Sequence, residues 1–329
     1  MTNYNFKDKI ILVTGVGSIG SSIVHKLTAH NPKQIRCFDM SEYSLYKLQS
    51  SLKKHKNIRY LLGDIRDKDR LARSFAGADC VIHAAALKHV SFCEYNPDEA
   101  YKTNVVGTQN IVDLAREYNL DHALLISTDK AVEPTTVMGT TKLLAEKLFI
   151  NAPEFSVDNK TKFTVVRFGN VFGSAGSVVE TFWNKINNKE KITISNLDLI
   201  RYFMSIDQAA SLVINSLLVS KGKQIFILKM KKVKIVDLAK RINFKIYGHD
   251  NLQYSVGQLL PGEKLDEDLI SNFEKQFVDE MGDYYVVTPF VNTPHYKASK
   301  PVSFSSAESD MLSIQELDLL IDEWCANSG

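Results

Sequence analysis

Two adjacent side chains, Asp129 and Lys130, set an acid beside an amine just after the apolar run His122 to Ser127, which reads as a strand. A carboxyl and an amine in that position can donate and accept a proton, provided the first is protonated and the second uncharged. A water-poor pocket favours both forms. The plainer reading is a surface ion pair worth little to stability. Ser127 and Thr128 lead into the pair, and Met138 to Lys142 open the next helix. Met138 can neither take nor give a hydroxyl proton, so packing is the work expected of it.

A second group of residues points to a dinucleotide. Gly15-Val16-Gly17-Ser18-Ile19-Gly20 follows an apolar run and opens a helix, the context that makes GxGxxG informative. Glycine lets the backbone approach a pyrophosphate, and the helix start supplies N–H donors. Asp39, at the end of the second apolar run, can accept from both ribose hydroxyls and would repel a 2′-phosphate. With Met40 and Ser41 next and no arginine nearby in sequence, NAD is expected in preference to NADP. Asp64 and Ile65 follow the third run, where an adenine edge could be read; Asp64 as a helix cap is the equal alternative. Ala84, Ala85 and Ala86 suit close approach of the cofactor, or tight helix packing. His83 reads as a packed strand-end histidine.

The elements that must hold these residues alternate. Short β-rich runs at 10–14, 34–38, 58–62, 80–83, 122–127 and 163–167 are separated by helical spacing at 18–30, 43–53, 68–75, 100–118 and 140–150. The pattern predicts an α/β fold, a doubly wound parallel (Rossmann) sheet with a smaller, interleaved C-terminal substrate-binding region. Residues 1–170 form the dinucleotide-binding part, with 203–230 returning to it. Residues 171–202 and 231–295 form the substrate region, and 296–329 a tail with an amphipathic helix from Ser313 to Trp324. Ser303 to Ser309 is the most loop-like stretch.

The 329 residues carry 40 Lys+Arg against 38 Asp+Glu, a formal charge of +2, without the basic stripe that nucleic acid requires. Four scattered cysteines indicate neither a disulfide framework nor a metal site. No signal peptide and no run of about eighteen apolar residues is present, so a cytoplasmic protein without a membrane span is expected.

Several stretches together resemble the extended short-chain dehydrogenase/reductases, and within them the bacterial nucleotide-sugar 4,6-dehydratases acting on N-acetylglucosamine. They are His83 to Val90, Glu94 to Pro97, Lys102 to Val105, Ser127 to Val132, Val137 to Gly139 with Lys142, Arg167 to Val171, Arg201 to Met204 and Pro261 to Lys264. The likeness spans about residues 8 to 270 and implies bound NAD, a UDP- or GDP-N-acetylglucosamine substrate and a homo-oligomer. Such an enzyme oxidises C4, removes the C5 proton, expels the C6 hydroxyl and returns the hydride to C6.

By resemblance Asp129 is the acid for the leaving hydroxyl, Lys130 the base at C5, and Lys142 the partner of the nicotinamide ribose. Lys88 and Asn104 face sugar and cofactor, Asn170 and Arg201 suit the diphosphate, and Glu263 the nucleotide ribose. Three departures stand out. The glycine loop is one residue short of the family's usual TGxxGxxG. Leu260 replaces an arginine that often precedes Pro-Gly-Glu-Lys. Met138 replaces the usual tyrosine, as in membrane-anchored relatives whose transmembrane half is absent here. Thr128, Asp129 or water must then take the C4 hydroxyl proton, and retention at C5 is expected ahead of inversion. The alternatives are a C4 epimerase, an inverting dehydratase, and a catalytically silent NAD-binding protein.

Overall fold

The computed structural model describes residues 4–155, 160–289 and 310–328. Apolar runs that read as fully buried strands become one: Ile11, Leu12 and Val13, like Ile82 and Leu124, are excluded from solvent. The main sheet contains β1 (Ile10–Thr14), β2 (Gln34–Asp39), β3 (Ile58–Leu62), β4 (Cys80–His83), β5 (His122–Thr128) and β6 (Lys162–Phe168). After the short β7 (Asn170–Val171), β8 (Ile192–Ile194) and β9 (Ile200–Met204), the chain returns to it as β10 (Gln224–Leu228). Strand order from that side is β10-β6-β5-β4-β1-β2-β3, parallel throughout. The order reverses between β1 and β4, and at such a point the carboxyl ends of the strands open a crevice for a ligand.

Two further strands extend the sheet beyond β10. After β11 (Lys231–Lys234) and β12 (Tyr254–Val256), the hairpin β13 (Val278–Met281) and β14 (Tyr284–Val287) adds antiparallel to the edge. The sheet is thus mostly parallel, and it draws on residues that the sequence pattern groups with the substrate region.

The helices are α1 (Ser18–Thr28), α2 (Glu42–Ser51), α3 (Lys68–Phe75), α4 (Val90–Tyr95), α5 (Pro97–Tyr101) and α6 (Gly107–Glu117). They continue with α7 (Val137–Asn151), α8 (Val178–Asn187), α9 (Ile206–Val219), α10 (Ile235–Tyr247) and α11 (Ile314–Ser328). The single helix expected over 100–118 is broken. Pro97 starts α5 early, and a π-helical turn over Lys102–Val106 separates it from α6. Such turns are rare and recur at functional sites, and this one contains buried Asn104.

A second apolar core lies between α8, α10, α11 and the small sheets β11-β9-β7 and β12-β8. In α8, Val179, Phe182 and Ile186 line one buried face at helical spacing. Ser303 to Ser309 and the rest of the expected tail before residue 310 lie outside the described residues. The terminal helix starts at Ile314, beside the expected Ser313.

Candidate active site

Three cavities run into one another along the carboxyl edge of the sheet. The first, about 440 Å³, is bordered by Gly15, Gly17, Ser18, Ile19, Gly20, Asp39, Asp64, Ile65 and Ala84 to Lys88. Gly15 has φ +81°, and a Cβ there would lie 2.4 Å from the Ala85 nitrogen. One at Gly20 would lie 1.9 Å from the Gly15 oxygen, so both are needed for the close turn. Gly17 instead faces open space and stands at the N-cap of α1, which has no side-chain cap. The uncapped helix start is what an anion requires.

Asp39 accepts from the N–H groups of Val16 (2.6 Å) and Ser41 (2.8 Å), tying the glycine loop to β2. A carboxylate has acceptor sites beyond those two. Helix α3 is capped by Asp67, not Asp64. Asp64 takes two donors of the Arg66 guanidinium and its backbone N–H, and Arg66 also reaches Glu99. The cleft therefore holds an arginine that sequence proximity did not reveal, neutralised by two carboxylates.

The middle cavity, about 290 Å³, shares Ile19, Ala84, Ala86, Leu87, Lys88 and Ile126 with the first. It adds Ser127, Thr128, Lys130, Met138, Lys142 and Asn170. Met138 is buried against Cys93 and Ala100. Asn104 does not border it; its amide instead clamps Leu87, accepting from the N–H (2.8 Å) and donating to the carbonyl (3.0 Å). Lys88 donates to the Ala175 carbonyl, and the Ala175 N–H donates to Ser18 Oγ, so the segment after β7 crosses over the start of α1.

Asp129 has no solvent-exposed surface. Its Oδ1 accepts from Thr128 Oγ1 (2.8 Å), the Lys130 N–H (2.8 Å) and Lys130 Nζ (3.1 Å), whereas Oδ2 is buried without a partner. Lys130 Nζ also reaches Asn170 Oδ1 at 3.3 Å. The amine thus borders the cavity and leans on a carboxyl that is wholly buried behind it. Passing one proton from Nζ to Oδ1 yields the neutral acid and amine at once. Helix α7 fixes this turn from behind: a Cβ on Gly139 would sit 2.2 Å from the Lys130 oxygen.

The outer cavity, about 440 Å³, shares Lys130, Asn170, Gly176 and Val178 with the middle one and ends among Thr193, Ser195, Arg201, Leu260 and Glu263. Arg201 and Glu263 face each other at 3.6 Å. Gly262, at φ +77°, lies against the Thr135 carbonyl, while Lys264 donates to that of Val132. These contacts dock the Pro-Gly-Glu-Lys loop beside the Asp129–Lys130 turn.

Burial pushes Lys142 down to about 8 despite the opposing charge of Glu146; its Nζ donates to the Ile126 carbonyl at 2.7 Å. Burial, with the Lys142 charge, likewise holds His83 at about 3. Its Nε2 meets Thr108 Oγ1, whose proton goes to the Asn104 carbonyl, so Nε2 is the donor and Nδ1 accepts from Thr14. A neutral, fully bonded His83 is a packing residue.

Residues 11–289 match the family described as polysaccharide biosynthesis protein. The chain belongs to that family. An uncharacterized membrane protein of Methanocaldococcus jannaschii is 43% identical over 97% of this chain and 96% of its own length. A Campylobacter jejuni UDP-N-acetylglucosamine 4,6-dehydratase (inverting) is 36% identical over 87% of this chain and 84% of its own. The crystal structure of Pen from Bacillus thuringiensis superposes with a TM-score of 0.90 at 39% identity, covering 97% of this chain and 98% of that one. Relatives named as UDP-glucose 4-epimerases, from Rickettsia, reach 33% to 34% identity. Solved dehydratases and epimerases with NAD bound share the fold at 16% to 19% identity.

No described helix is long and apolar enough to cross a membrane. Among the described residues no cluster of His, Cys, Asp and Glu could hold a metal ion. A cavity-lining carboxylate that sequence reasoning missed also lies here. Glu267, 5% exposed, borders the outer cavity with Oε1 3.8 Å from Lys130 Nζ. It lies 137 positions further along the chain, so spacing carries no signal of the encounter.

Proposed function

We propose that the protein is an NAD-dependent 4,6-dehydratase of a nucleoside-diphosphate N-acetylglucosamine, UDP ahead of GDP, forming the 4-keto-6-deoxy sugar for glycan or nonulosonate synthesis. The observation that carries this reading is Lys130, hydrogen-bonded to buried Asp129, at the junction of the dinucleotide-sized cleft and the outer cavity. An epimerase needs no acid at C6, so an acid–amine pair at that junction favours elimination over epimerisation. Bound NAD supplies the hydride acceptor and donor.

Gly15, Gly17, Ser18, Gly20, Asp39, Asp64, Ile65 and Ala84 to Ala86 would hold the dinucleotide, with Ser127 and Lys142 near its nicotinamide ribose. Arg201 and Asn170 suit the diphosphate, since forked donors match phosphate oxygens. Glu263 suits the nucleotide ribose and Lys88 the sugar. Lys130 takes the C5 proton and Asp129 releases one to the departing C6 hydroxyl. Met138 supports retention at C5, although the Campylobacter relative is named as inverting. Four free cysteines and a nucleotide-sugar substrate fit a cytoplasmic enzyme, and a homo-oligomer completes the proposal.

Incubation with UDP- or GDP-N-acetylglucosamine, followed by mass spectrometry, should reveal loss of water from the first. An isomer of unchanged mass would make the protein an epimerase, and no turnover with NAD bound a silent binder. Asp129→Asn should abolish water loss while retaining NAD; undiminished product would remove Asp129 from the mechanism.

A further inference from the structure

Oxidation at C4 releases a hydroxyl proton before elimination begins, and Met138 cannot receive it. An Asp129–Lys130 pair alone has no good place for it. If the pair shares a single proton, a second would leave a protonated acid beside an ammonium, with no base for C5. On the dehydratase reading above, that proton leaves either to water or to a further proton site in contact with Lys130.

We infer that Glu267 is that site: the proton-exchange partner of Lys130, completing a carboxylate–amine–carboxylate triad with Asp129. Its carboxylate borders the outer cavity and, among the described residues, accepts no side-chain or backbone hydrogen bond. Its Oε1 lies 3.8 Å from Nζ, a gap that a bridging water or a small rotamer change closes. Burial, helped by the charge of Asp129, pushes the Glu267 carboxyl up, against the pull of Lys130, Arg201 and Lys264. Among the described residues, Glu263 lines the same cavity, and Asp266, which accepts the Glu267 N–H, is paired with Lys232.

The proton count closes around this triad. Thr128 Oγ1, which borders the middle cavity and donates to Asp129 Oδ1, passes the C4 hydroxyl proton to Asp129. Lys130 gives its own proton to Glu267 and becomes a neutral amine. The triad now holds two protons, one on each carboxyl. In the elimination, the C5–H bond breaks towards Lys130 as the C6–O bond breaks, and Asp129 protonates the departing hydroxyl to give water. The Lys130 ammonium then returns a proton to C5, the hydride for C6 being what bound NAD would supply. Glu267 then reprotonates Lys130, restoring the starting pair.

The test compares wild type, Glu267→Gln and Glu267→Asp, all with NAD bound. With UDP-N-acetylglucosamine, Glu267→Gln should lose about 100-fold or more in kcat with little change in KM. Its residual rate should climb with pH, where solvent takes the surplus proton, and Glu267→Asp should recover part of the loss. A Glu267→Gln enzyme with wild-type kcat and pH profile overturns the triad. A second readout needs no turnover. Infrared difference spectra of wild type should contain a protonated-carboxyl band that titrates above the ordinary glutamate range and is missing in Glu267→Gln. Its absence from wild type also overturns the triad. Failure of the wild type to dehydrate any N-acetylglucosamine nucleotide, with that band present, instead sinks the dehydratase reading and leaves the proton site standing.

Discussion

Lys142 shows how one buried amine links stability to pH. Its ordinary value is 10.5 and burial holds it at about 8 in the fold. Between those values the unfolded chain binds a proton that the folded chain has released, so stability rises with pH across the window. Below pH 8 the folded protein carries the full cost of a buried ammonium, eased by the Ile126 carbonyl. Replacing it by methionine removes that dependence. The stability difference between wild type and Lys142→Met should move in favour of wild type by about 3 kcal/mol from pH 7.5 to pH 10.5. Urea unfolding at the two values measures it, and an unchanged difference would mean that the amine keeps its ordinary affinity for protons.

Helix α7 is the element that aims the site. Thr136 caps it, Glu94 accepts the Val137 N–H, and Gly139 lets its first turn lie against the Lys130 carbonyl. Two turns on, Glu146 meets Arg167 of β6, which also grips Glu274 and the Leu269 carbonyl. Burial raises Glu274, but the Arg167 charge and hydrogen bonds, with Ser271, outweigh it and hold the group at about 2. The ion network so formed anchors the segment that carries Glu267. A methyl at position 139 has no room, and the Lys130 turn must shift. Gly139→Ala should lower kcat by about 10- to 100-fold, since misplacement by about 1 Å costs that much, and should leave bound NAD unchanged. Full activity in this variant would show that the turn is not held by the helix.

Across the whole molecule, the main sheet supplies the dinucleotide cleft while the second core supplies the walls of the outer cavity. The two should therefore respond separately to ligands. UDP should raise the melting temperature of wild type, by about 2.7 kcal/mol of added stability at a hundredfold excess over Kd. Arg201→Met should lose that protection and keep the protection given by NAD. Loss of both would place Arg201 in the fold rather than the nucleotide site. How much of this was legible beforehand divides along physical lines. Strand runs, the glycine loop, Asp39 and the Asp129–Lys130 pair are local in sequence, because period, turn chemistry and adjacency follow from neighbouring residues. The broken helix around Asn104, the β13–β14 hairpin on the sheet edge, Arg66 between two carboxylates and Glu267 beside Lys130 depend on contacts between distant segments. The sequence by itself determined a doubly wound sheet and the residue types at the rim. Only the tertiary structure decided that the acid is wholly buried with the amine against it and which second carboxylate approaches them, because both depend on burial and distance that no spacing encodes.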